Sequence, residues 1–402
     1  LVVYQQLMPF QKSSVKFMIQ RGGRAINASE MGTGKTATGI CISEYYADIK
    51  PQLIVCPSSL KYNWKAEFMK FSGKDVSVIS SRDSVFCNVN IISYSLLSSK
   101  KFTPKLKSTK FKLIIMDESH YIKNRGSKRT KLLVHMSKIA DRVILLTGTP
   151  SSKAADLFSQ LRSIDPSNFT SFFRYNTLQT RFTTDTRFYF ANRYCDPQKV
   201  HLGCNRHGYK FNGNTRQWEL HAIVDKYMTR KTKSDVMVDL PPKTRERVII
   251  AELDDIKKKQ FQEKLKGIED LRDIKGNRIA ESRLMELVRE TAALKIDPVL
   301  VYIRGIIDQN DDSKYLIFAH HRIMLNSLIG LMQETKQKYI HIDGRTKTDT
   351  RQDIVDSFQD DSGGIKFAIL SIKAAGTGLN LFKANKVIFC ELLWSEKDHV
   401  QS

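Results

Sequence analysis

The chain reads Ser29-Glu30-Met31-Gly32-Thr33-Gly34-Lys35-Thr36 between Ala25–Ala28, which is predicted to be a β-strand, and Lys35–Tyr46, which is predicted to be an α-helix. A glycine-containing turn in this position is typical of a phosphate-binding loop. Its glycines let the backbone curve around phosphate oxygens, the first amides of the helix point at those oxygens, and Lys35 adds a mobile cation. A turn that merely caps the helix is the simpler alternative. The stretch favours an α/β fold that binds a nucleotide through Met31, Gly32, Thr33, Gly34, Lys35 and Thr36.

Short apolar and β-branched runs continue on both sides of this loop and alternate with helical patterns such as Ser59–Phe71. The alternation predicts parallel sheets covered by helices on both faces. The predicted strands of the first sheet are Ala25–Ala28, Leu53–Cys56, Asn90–Ser93, Lys112–Met116 and Arg142–Leu146. Those of a second sheet are Lys314–Ala319, Tyr339–Ile342, Lys366–Leu370 and Lys386–Cys390.

At 402 residues the chain exceeds what one core usually organises, since single hydrophobic cores stop growing at roughly 250–300 residues. We expect a first lobe at 1–164, an insertion on it at 165–240, a hinge and helical protrusion at 241–300, and a second lobe at 301–402. Clustered aromatic residues and glycines without a strand period mark the insertion. The hinge is placed at Pro241-Pro242, because proline resists both helix continuation and ladder pairing. The protrusion contains a charged helix predicted at Ile256–Leu294.

The composition indicates a polyanionic partner. There are 65 Lys and Arg against 42 Asp and Glu, a formal net charge of +23, and so large an excess favours nucleic acid. Six scattered cysteines argue against a disulfide framework and for an intracellular location. No apolar run approaches the ~18–20 residues of a membrane span, so no membrane partner is expected.

A second polar motif follows the apolar run Phe111–Met116, which leads into Asp117-Glu118-Ser119-His120. A buried strand that ends in two carboxylates delivers them to the carboxyl edge of a parallel sheet, where open α/β folds bind ligands. We expect Asp117, with Thr36, to hold Mg²⁺, and Glu118 to orient and deprotonate an attacking water. Thr147-Gly148-Thr149-Pro150 follows the next strand and suits sensing of that site, although a purely structural turn fits equally well.

The order of these motifs resembles that of a superfamily-two motor of the Swi/Snf type. Added to those above, the motifs are Leu7-Met8-Pro9-Phe10-Gln11, Ile317–His321, Ile342–Thr346 and Ala374–Asn380, so that the resemblance covers nearly the whole chain. It implies an α/β fold of two RecA-like lobes, each a parallel sheet with flanking helices, plus family-specific helical insertions. It also implies a DNA-dependent ATPase with ATP and Mg²⁺ as cofactors.

The resemblance assigns roles to individual residues. Gln11 reads the adenine, Lys35 and Thr36 hold phosphate and Mg²⁺, Asp117 and Glu118 run hydrolysis, and Gly376 faces ATP. The residues expected to contact DNA or couple it to the ATP site are Ser59 in the Pro57–Leu60 loop, Trp64, Ser93, Tyr94, Thr147, Thr149, Thr377 and Gly378. The strict loop pattern has glycine where this chain has Ser29. The family's last motif carries arginines and follows a segment like His399–Ser402, so we expect a protein ending at Ser402 to bind ATP but hydrolyse it poorly.

Within that family, Arg193-Tyr194-Cys195-Asp196 and the spaced residues that run from it to Leu240-Pro241-Pro242-Lys243 are similar to the annealing-helicase branch related to bacterial HepA. The branch implies an ATP-dependent double-stranded DNA translocase that remodels or re-anneals structures such as stalled replication forks. It would act in the nucleus if the source is eukaryotic. A chromatin-remodelling ATPase, an RNA helicase and a nucleotide-gated nucleic-acid-binding module remain alternatives.

Two basic clusters are predicted to neutralise DNA phosphates without reading bases. They are Lys123, Arg125, Lys128, Arg129 and Lys131 after the Asp-Glu motif, and Arg230, Lys231, Lys233, Lys243, Arg245 and Arg247 around the hinge. A zinc site is a rival hypothesis for Cys195, His201, Cys204 and His207, but their spacing lacks the close cysteine pairs usual for zinc. His320 and His321, beside an apolar strand, are expected to be structural.

Overall fold

The computed structural model describes residues 2–80, 85–99, 102–150, 153–169, 190–201, 207–211, 213–236, 244–250, 259–268, 277–346, 348–372, 379 and 381–392. The chain forms two compact units, Leu1–Leu240 and Pro241–Ser402. This division falls at the predicted hinge, although Pro241 and Pro242 themselves lie outside the described residues. The internal boundaries expected after residues 164 and 300 stay predictions.

The first unit is built on a seven-stranded sheet in the order β3-β4-β2-β5-β6-β1-β9. Every pair of neighbours in it is parallel. Its strands are β1 Arg24–Asn27, β2 Gln52–Cys56, β3 Ser77–Val78, β4 Val89–Ser93, β5 Leu113–Met116, β6 Arg142–Leu146 and β9 Met228–Thr229. A separate antiparallel hairpin pairs β7 Gln198–His201 with β8 His207–Lys210.

Helices cover both faces of this sheet. The α-helices of the unit are Val2–Gln6, Pro9–Gln20, Lys35–Tyr45, Lys61–Ser72, Tyr94–Leu97, Thr103–Ser108, Lys128–Ile139, Ala154–Ile164, Phe190–Tyr194, Gln217–Val224 and Lys233–Val236, with 3₁₀ turns at Ser58–Leu60 and Ser119–Ile122. The predicted helix from Ser59 therefore begins with a 3₁₀ turn. Helices on both faces explain why these strands read as unbroken apolar runs.

Alternate strand residues feed two cores, as the period of two in a strand requires. Along β5, Ile114 and Met116 pack into one core with Leu133 and Phe158, whereas Leu113 and Ile115 pack into the other. All four β5 side chains are buried. Burial on both faces holds β5 rigidly between its neighbours, so the residues that follow Met116 leave the sheet at a fixed place.

The segment 165–240 contributes to the first unit more directly than an appended insertion would. Residues Phe190 and Tyr194 are buried in its core, and β9 extends the sheet beside β1. Neither β9 nor the edge strand β3 was predicted, because two-residue strands carry no measurable alternation.

At the amino edge of the sheet, Arg24 ties together two helices. Its guanidinium donates to the carbonyl oxygens of Ser137 at 2.9 Å, Ser163 at 3.2 Å and Ile164 at 3.1 Å, and also to that of Ala140. A cation at helix carboxyl ends satisfies carbonyls that have no partner within the helix. These contacts anchor Lys128–Ile139 and Ala154–Ile164 at the edge opposite the motifs.

The second unit carries a four-stranded parallel sheet in the order β11-β12-β10-β13. Its strands are β10 Tyr315–Ala319, β11 Tyr339–Ile342, β12 Phe367–Ser371 and β13 Lys386–Phe389. Its helices are Asn277–Leu294, Ile296–Gln309, Arg322–Glu334 and Thr348–Gln359, and residues 259–268 are also helical. All four predicted strands are confirmed to within one or two residues, and with them the expected class of two parallel α/β sheets. In the part of the chain that the structure describes, no helix is long and apolar enough to cross a membrane.

Candidate active site

The loop after β1 owes its path to two glycines in the left-handed region. Gly32 has φ of +77° and Gly34 has φ of +72°, which costs little only without a Cβ. Gly34 is the N-cap of the helix Lys35–Tyr45, and a Cβ on it would collide with the side-chain amide of Gln11. The loop is therefore curled tightly at the amino end of a helix, the geometry of an anion-binding site.

Gln11 lies against this loop. Its Oε1 accepts from the backbone N–H of Met8 at 2.9 Å, and its Nε2 donates to the carbonyl oxygen of Thr33 at 3.0 Å. The first bond fixes the start of the helix Pro9–Gln20, and the second joins that helix to the loop. The side chain predicted to read adenine is thus buried beside the predicted phosphate site.

Lys35 projects from the first turn of the helix into the same place. Its Nζ donates to the carbonyl oxygen of Glu30 at 3.0 Å. Burial lowers the pKa of the Lys35 ammonium, while the nearby charges of Glu118 and Asp117 act in the opposite direction. Thr36 follows on the same turn and is half-buried. The lysine is a desolvated cation that a polyphosphate would stabilise.

Asp117 follows β5 directly and is held in place by three hydrogen bonds. Its Oδ2 accepts from the indole N–H of Trp64 at 2.8 Å, and its Oδ1 accepts from the backbone N–H of Glu118 at 2.9 Å. The hydroxyl of Tyr94 donates to its carbonyl oxygen at 2.8 Å. Burial and the neighbouring charge of Glu118 raise the pKa of Asp117 to about 6, against the opposing effects of Trp64 and Lys35.

Glu118 is held in an unusual backbone conformation. Its φ is +47°, a region that non-glycine residues occupy at a cost and that occurs often at functional sites. Its Oε2 lies 3.2 Å from Nδ1 of His120, and both atoms are buried without a hydrogen-bond partner among the described residues. Glu118 therefore has an acceptor oxygen available to a bound water or ligand.

The turn after β6 closes on the phosphate loop. The backbone N–H of Thr147 donates to the carbonyl oxygen of Asn27 at 3.0 Å, and that of Thr149 donates to Oγ1 of Thr147 at 3.3 Å. A Cβ on Gly148 would collide with the Met31 side chain and would lie 3.3 Å from Nζ of Lys35. Thr147 is fully buried and Thr149 half-buried, so this turn adjoins the loop and its lysine.

The residues expected to contact DNA divide into two groups. Oγ of Ser95 lies 2.9 Å from Oγ of both Ser58 and Ser93, which links the 3₁₀ turn containing Ser59 to the end of β4. The side chains of Trp64 and Tyr94 are buried and face Asp117 instead. Contact of these two residues with DNA stays a prediction, and helical spacing alone does not show that the Trp64 face of Lys61–Ser72 is covered.

Other predicted residues fall in different places. Arg125 lies over the ring of Phe211 and Arg129 over that of Tyr121, so these two members of the first basic cluster also pack within the unit. Cys195 is in the core, and burial raises its pKa to about 12. No group of three or more His, Cys, Asp or Glu side chains placed to hold a metal ion occurs among the described residues. Cys204, Lys243, Gly376, Thr377 and Gly378 lie outside the described residues.

Lys233 lies beside the phosphate loop, a position that its place among the basic residues around the hinge does not indicate. Its backbone N–H donates to Oε2 of Glu30 at 2.8 Å, and its contact with DNA stays a prediction. A Cβ on Gly32 would lie 3.3 Å from both Cε and Nζ of Lys233. No local signal indicates this, because more than two hundred residues separate Lys233 from the loop it adjoins.

A curled loop with a buried lysine, two carboxylates and a hydroxylic turn at one edge of a parallel sheet define the class of nucleotide-using α/β proteins. The sequence model described as the SNF2-related domain matches residues 10–298, and that of the helicase conserved C-terminal domain matches residues 295–402. The chain belongs to the SNF2-related family.

Individual relatives support this membership. The "DNA annealing helicase and endonuclease ZRANB3" of Mus musculus is 34% identical over 408 residues, which cover 97% of this chain and 36% of that protein. The "SWI/SNF-related matrix-associated actin-dependent regulator of chromatin subfamily A-like protein 1" of Xenopus laevis is 34% identical over 397 residues, which cover 97% of this chain and 39% of that protein. The chain therefore spans well under half the length of these relatives.

Among solved structures, the "Sulfolobus solfataricus SWI2/SNF2 ATPase core in complex with dsDNA" is 24% identical to this chain and matches it with a TM-score of 0.47. The match covers 96% of this chain and 82% of that chain.

Proposed function

We propose that the chain is the motor part of an ATP-dependent double-stranded DNA translocase that remodels or re-anneals DNA structures such as stalled replication forks. The observation that carries the proposal is the meeting of Lys35, Asp117, Glu118 and Gly148 at one edge of the sheet in an SNF2-related chain. The name of the ZRANB3 relative, a DNA annealing helicase, supports the choice of activity.

The site fits a magnesium nucleotide. The left-handed loop residues and the helix after them suit the phosphates, and Lys35 supplies a desolvated cation. Thr36 and Asp117 offer the hydroxyl and carboxylate oxygens that Mg²⁺ prefers. The raised pKa of Asp117 means that its carboxylate lacks enough positive charge nearby, which a divalent ion would provide. When bound, Mg²⁺ would neutralise charge on the phosphates.

Glu118 is the residue we assign to the attacking water. Its backbone is in the left-handed region at the end of the strand, and its buried Oε2 makes no hydrogen bond to a described residue. A general base must have an oxygen within hydrogen-bond reach of the proton that it removes. An acceptor left open in the folded protein meets that requirement. Gln11 would contact the adenine from the buried side of the loop.

The proposed partner is the backbone of duplex or forked DNA. The net charge of +23 supports phosphate contacts that are independent of base sequence. Exposed Lys123, Lys128 and Lys131 follow the Asp-Glu motif along one helix and the segment before it. Ser59 lies on a 3₁₀ turn that is linked through Ser95 to Ser93 at the end of β4. Such a protein would work in the nucleus if its source is eukaryotic. Chromatin remodelling is the second candidate, because the name of the Xenopus relative includes regulation of chromatin.

The test compares stimulation of ATP hydrolysis by forked DNA, plain duplex, RNA and nucleosomes. Single-turnover conditions are used, because they resolve slow hydrolysis. We expect forked DNA to stimulate most and RNA least. Stronger stimulation by nucleosomes than by an equal length of naked DNA would favour the chromatin candidate, and stimulation by RNA alone would contradict both.

A Lys35→Ala variant separates the two activities in the same experiment. It should abolish hydrolysis, because the loop loses its cation, and should leave DNA affinity largely intact, because Lys35 is buried within the loop. An equal loss of both would count against the proposed division of labour.

A further inference from the structure

Lys233 is fixed beside the phosphate loop by a ladder that continues beyond the regular strands. The backbone N–H groups of Ile26, Ala28 and Glu30 donate in turn to the carbonyl oxygens of Tyr227, Thr229 and Lys231, at 2.7, 2.8 and 2.9 Å. Every second residue from β1 into the phosphate loop thus pairs with every second residue of 227–231. The segment 227–233, which we call the strap, follows the loop to within two residues of Gly32.

The end of the strap is joined to the loop by a side chain as well. Oε2 of Glu30 accepts from the backbone N–H of Lys233 at 2.8 Å, and the Lys35 ammonium donates to the carbonyl oxygen of the same glutamate. Glu30 therefore holds both lysines by different atoms. The position of Lys233 relative to Lys35 is set by backbone bonds rather than by a long flexible side chain.

The Lys233 ammonium lies over the glycine that the loop needs for its curl. A Cβ on Gly32 would be 3.3 Å from Nζ of Lys233, just as a Cβ on Gly148 would be 3.3 Å from Nζ of Lys35. The two ammonium groups thus adjoin the loop from different elements, Lys233 from the strap and Lys35 from the first turn of the helix after the loop. Nζ of Lys233 makes no hydrogen bond or ion pair with any residue that the structure describes.

Two cations beside one loop repel each other when no anion is present. The charge of Lys233 is among the influences on Lys35, so the two side chains are close enough to interact. A purely structural lysine would be expected to pair with the carboxylate of Glu30, yet that carboxylate accepts from the Lys233 backbone instead. The arrangement leaves the Lys233 ammonium for a ligand with more than one negative charge.

We propose that Lys233 is a second phosphate-binding lysine of the nucleotide site, supplied by the strap rather than by the phosphate loop. The inference rests on the proposed ATPase function and deepens it. The ligand it recognises is the terminal phosphate group of a nucleoside di- or triphosphate, not the DNA backbone. An ammonium is suited to this as a mobile point charge with three donors.

The test measures binding of fluorescent ATP, ADP and AMP analogues to the 402-residue chain without DNA. The variant is Lys233→Gln, which keeps the backbone bond to Glu30 and a polar side chain but removes the positive charge. Losing one hydrogen bond to a charged group should weaken ATP binding about ten- to a hundredfold, with a smaller loss for ADP and none for AMP. Lys233→Arg should restore part of the ATP affinity.

The matched control is Lys226→Gln, which removes an exposed lysine before the strap, near the start of β9. It should change no nucleotide affinity. Unfolding temperatures without nucleotide should agree for the parent protein and all three variants, which would separate phosphate binding from a change in folding.

Lys35→Ala in the same assay separates a failure of the Lys233 proposal from a failure of the proposed ATPase function. If Lys35→Ala weakens ATP binding but Lys233→Gln does not, the strap lysine is not a phosphate ligand and the proposed function stands. If neither variant weakens ATP binding, the nucleotide site itself is wrong. A loss of DNA affinity in Lys233→Gln with ATP affinity unchanged would return Lys233 to the DNA surface.

Discussion

Both sheets end their strands in buried carboxylates, but the two units treat those carboxylates differently. In the first unit, Glu118 carries a buried oxygen with no hydrogen-bond partner among the described residues, and burial raises the pKa of Asp117. In the second unit, Glu391 just beyond β13 accepts three hydrogen bonds. They come from the backbone N–H groups of His320 and His321, at 2.6 and 2.8 Å, and from Nδ1 of His321 at 2.6 Å.

The difference separates a carboxylate that stabilises the fold from one that is available for chemistry. Glu391 lies at the amino end of the helix Arg322–Glu334, where its negative charge meets backbone N–H groups without partners inside the helix. The expectation that His320 and His321 are structural agrees with these contacts. Asp117 and Glu118 instead stand beside a desolvated Lys35 and repel each other. Burial disfavours the charged forms of Lys35 and Asp117, and a bound magnesium nucleotide would stabilise both charges.

The largest expected effect tests whether Glu118 of the first unit takes part in chemistry. Glu118→Gln should lower single-turnover ATP hydrolysis by about 10²–10⁴-fold, the range of general base catalysis. The amide cannot accept the proton of the attacking water. Nucleotide affinity and thermal stability should stay near those of the parent protein, because Oε2 makes no hydrogen bond that the change would remove. Retained hydrolysis would show that Glu118 is not the base.

The next largest effect tests whether Glu391 of the second unit stabilises the fold. Glu391→Ala should lower the free energy of unfolding by about 1–3 kcal/mol, because two partly buried backbone N–H groups lose their acceptor. Urea unfolding measures the change. Glu391→Gln is the matched control and should cost much less, since its remaining oxygen still accepts from the helix. Both variants should bind ATP through the first unit as the parent does, and a selective loss of binding would contradict the structural role of Glu391.

The sequence predicts this fold well where it depends on local pattern, and the site less completely. The run Phe111–Met116 predicts a strand buried on both faces, and the place of Asp117 at its end follows from chain direction alone. The partners that give each carboxylate its character come from far along the chain. Trp64 reaches Asp117 across 53 residues and Glu391 reaches His321 across 70. No periodicity encodes such contacts, because tertiary packing decides them.

A third, smaller effect is the loss of magnesium-dependent ATP affinity at low pH, which tests the role of Asp117. Below pH about 6 the carboxyl of Asp117 should take up a proton, which competes with a bound divalent ion. Magnesium-dependent ATP affinity should then fall up to about tenfold for each pH unit below that point. Asp117→Asn removes this carboxyl, so any pH dependence that it keeps belongs to the nucleotide. Parallel pH profiles for the two proteins would exclude Asp117 from the metal site.

The smallest effect concerns Asp343, which follows β11 in the second unit. Burial alone would raise the pKa of Asp343, but hydrogen bonds from the backbone N–H of Arg345 at 2.8 Å and from its guanidinium at 2.9 and 3.0 Å outweigh burial and leave the pKa below its usual value. Because the folded pKa is lowered, this stabilisation is present at neutral pH and is lost as the pH falls through the folded pKa. Asp117 changes the stability with pH in the opposite direction. Its pKa is raised, so its contribution favours the folded state increasingly as the pH falls from about 6.

Arg345→Ala tests this opposition. The Arg345 side chain is 65% exposed, so solvent screens the pair and its removal should cost only about 0.5–1 kcal/mol at neutral pH. The cost should shrink below pH about 4, where Asp343 takes up a proton first in the unfolded chain and then, at lower pH, in the folded protein. Urea unfolding at pH 7 and at pH about 3 measures both values. A cost that stays constant with pH would mean that Arg345 acts through packing, and that Asp343 does not belong with Glu391 among the carboxylates stabilised by their partners.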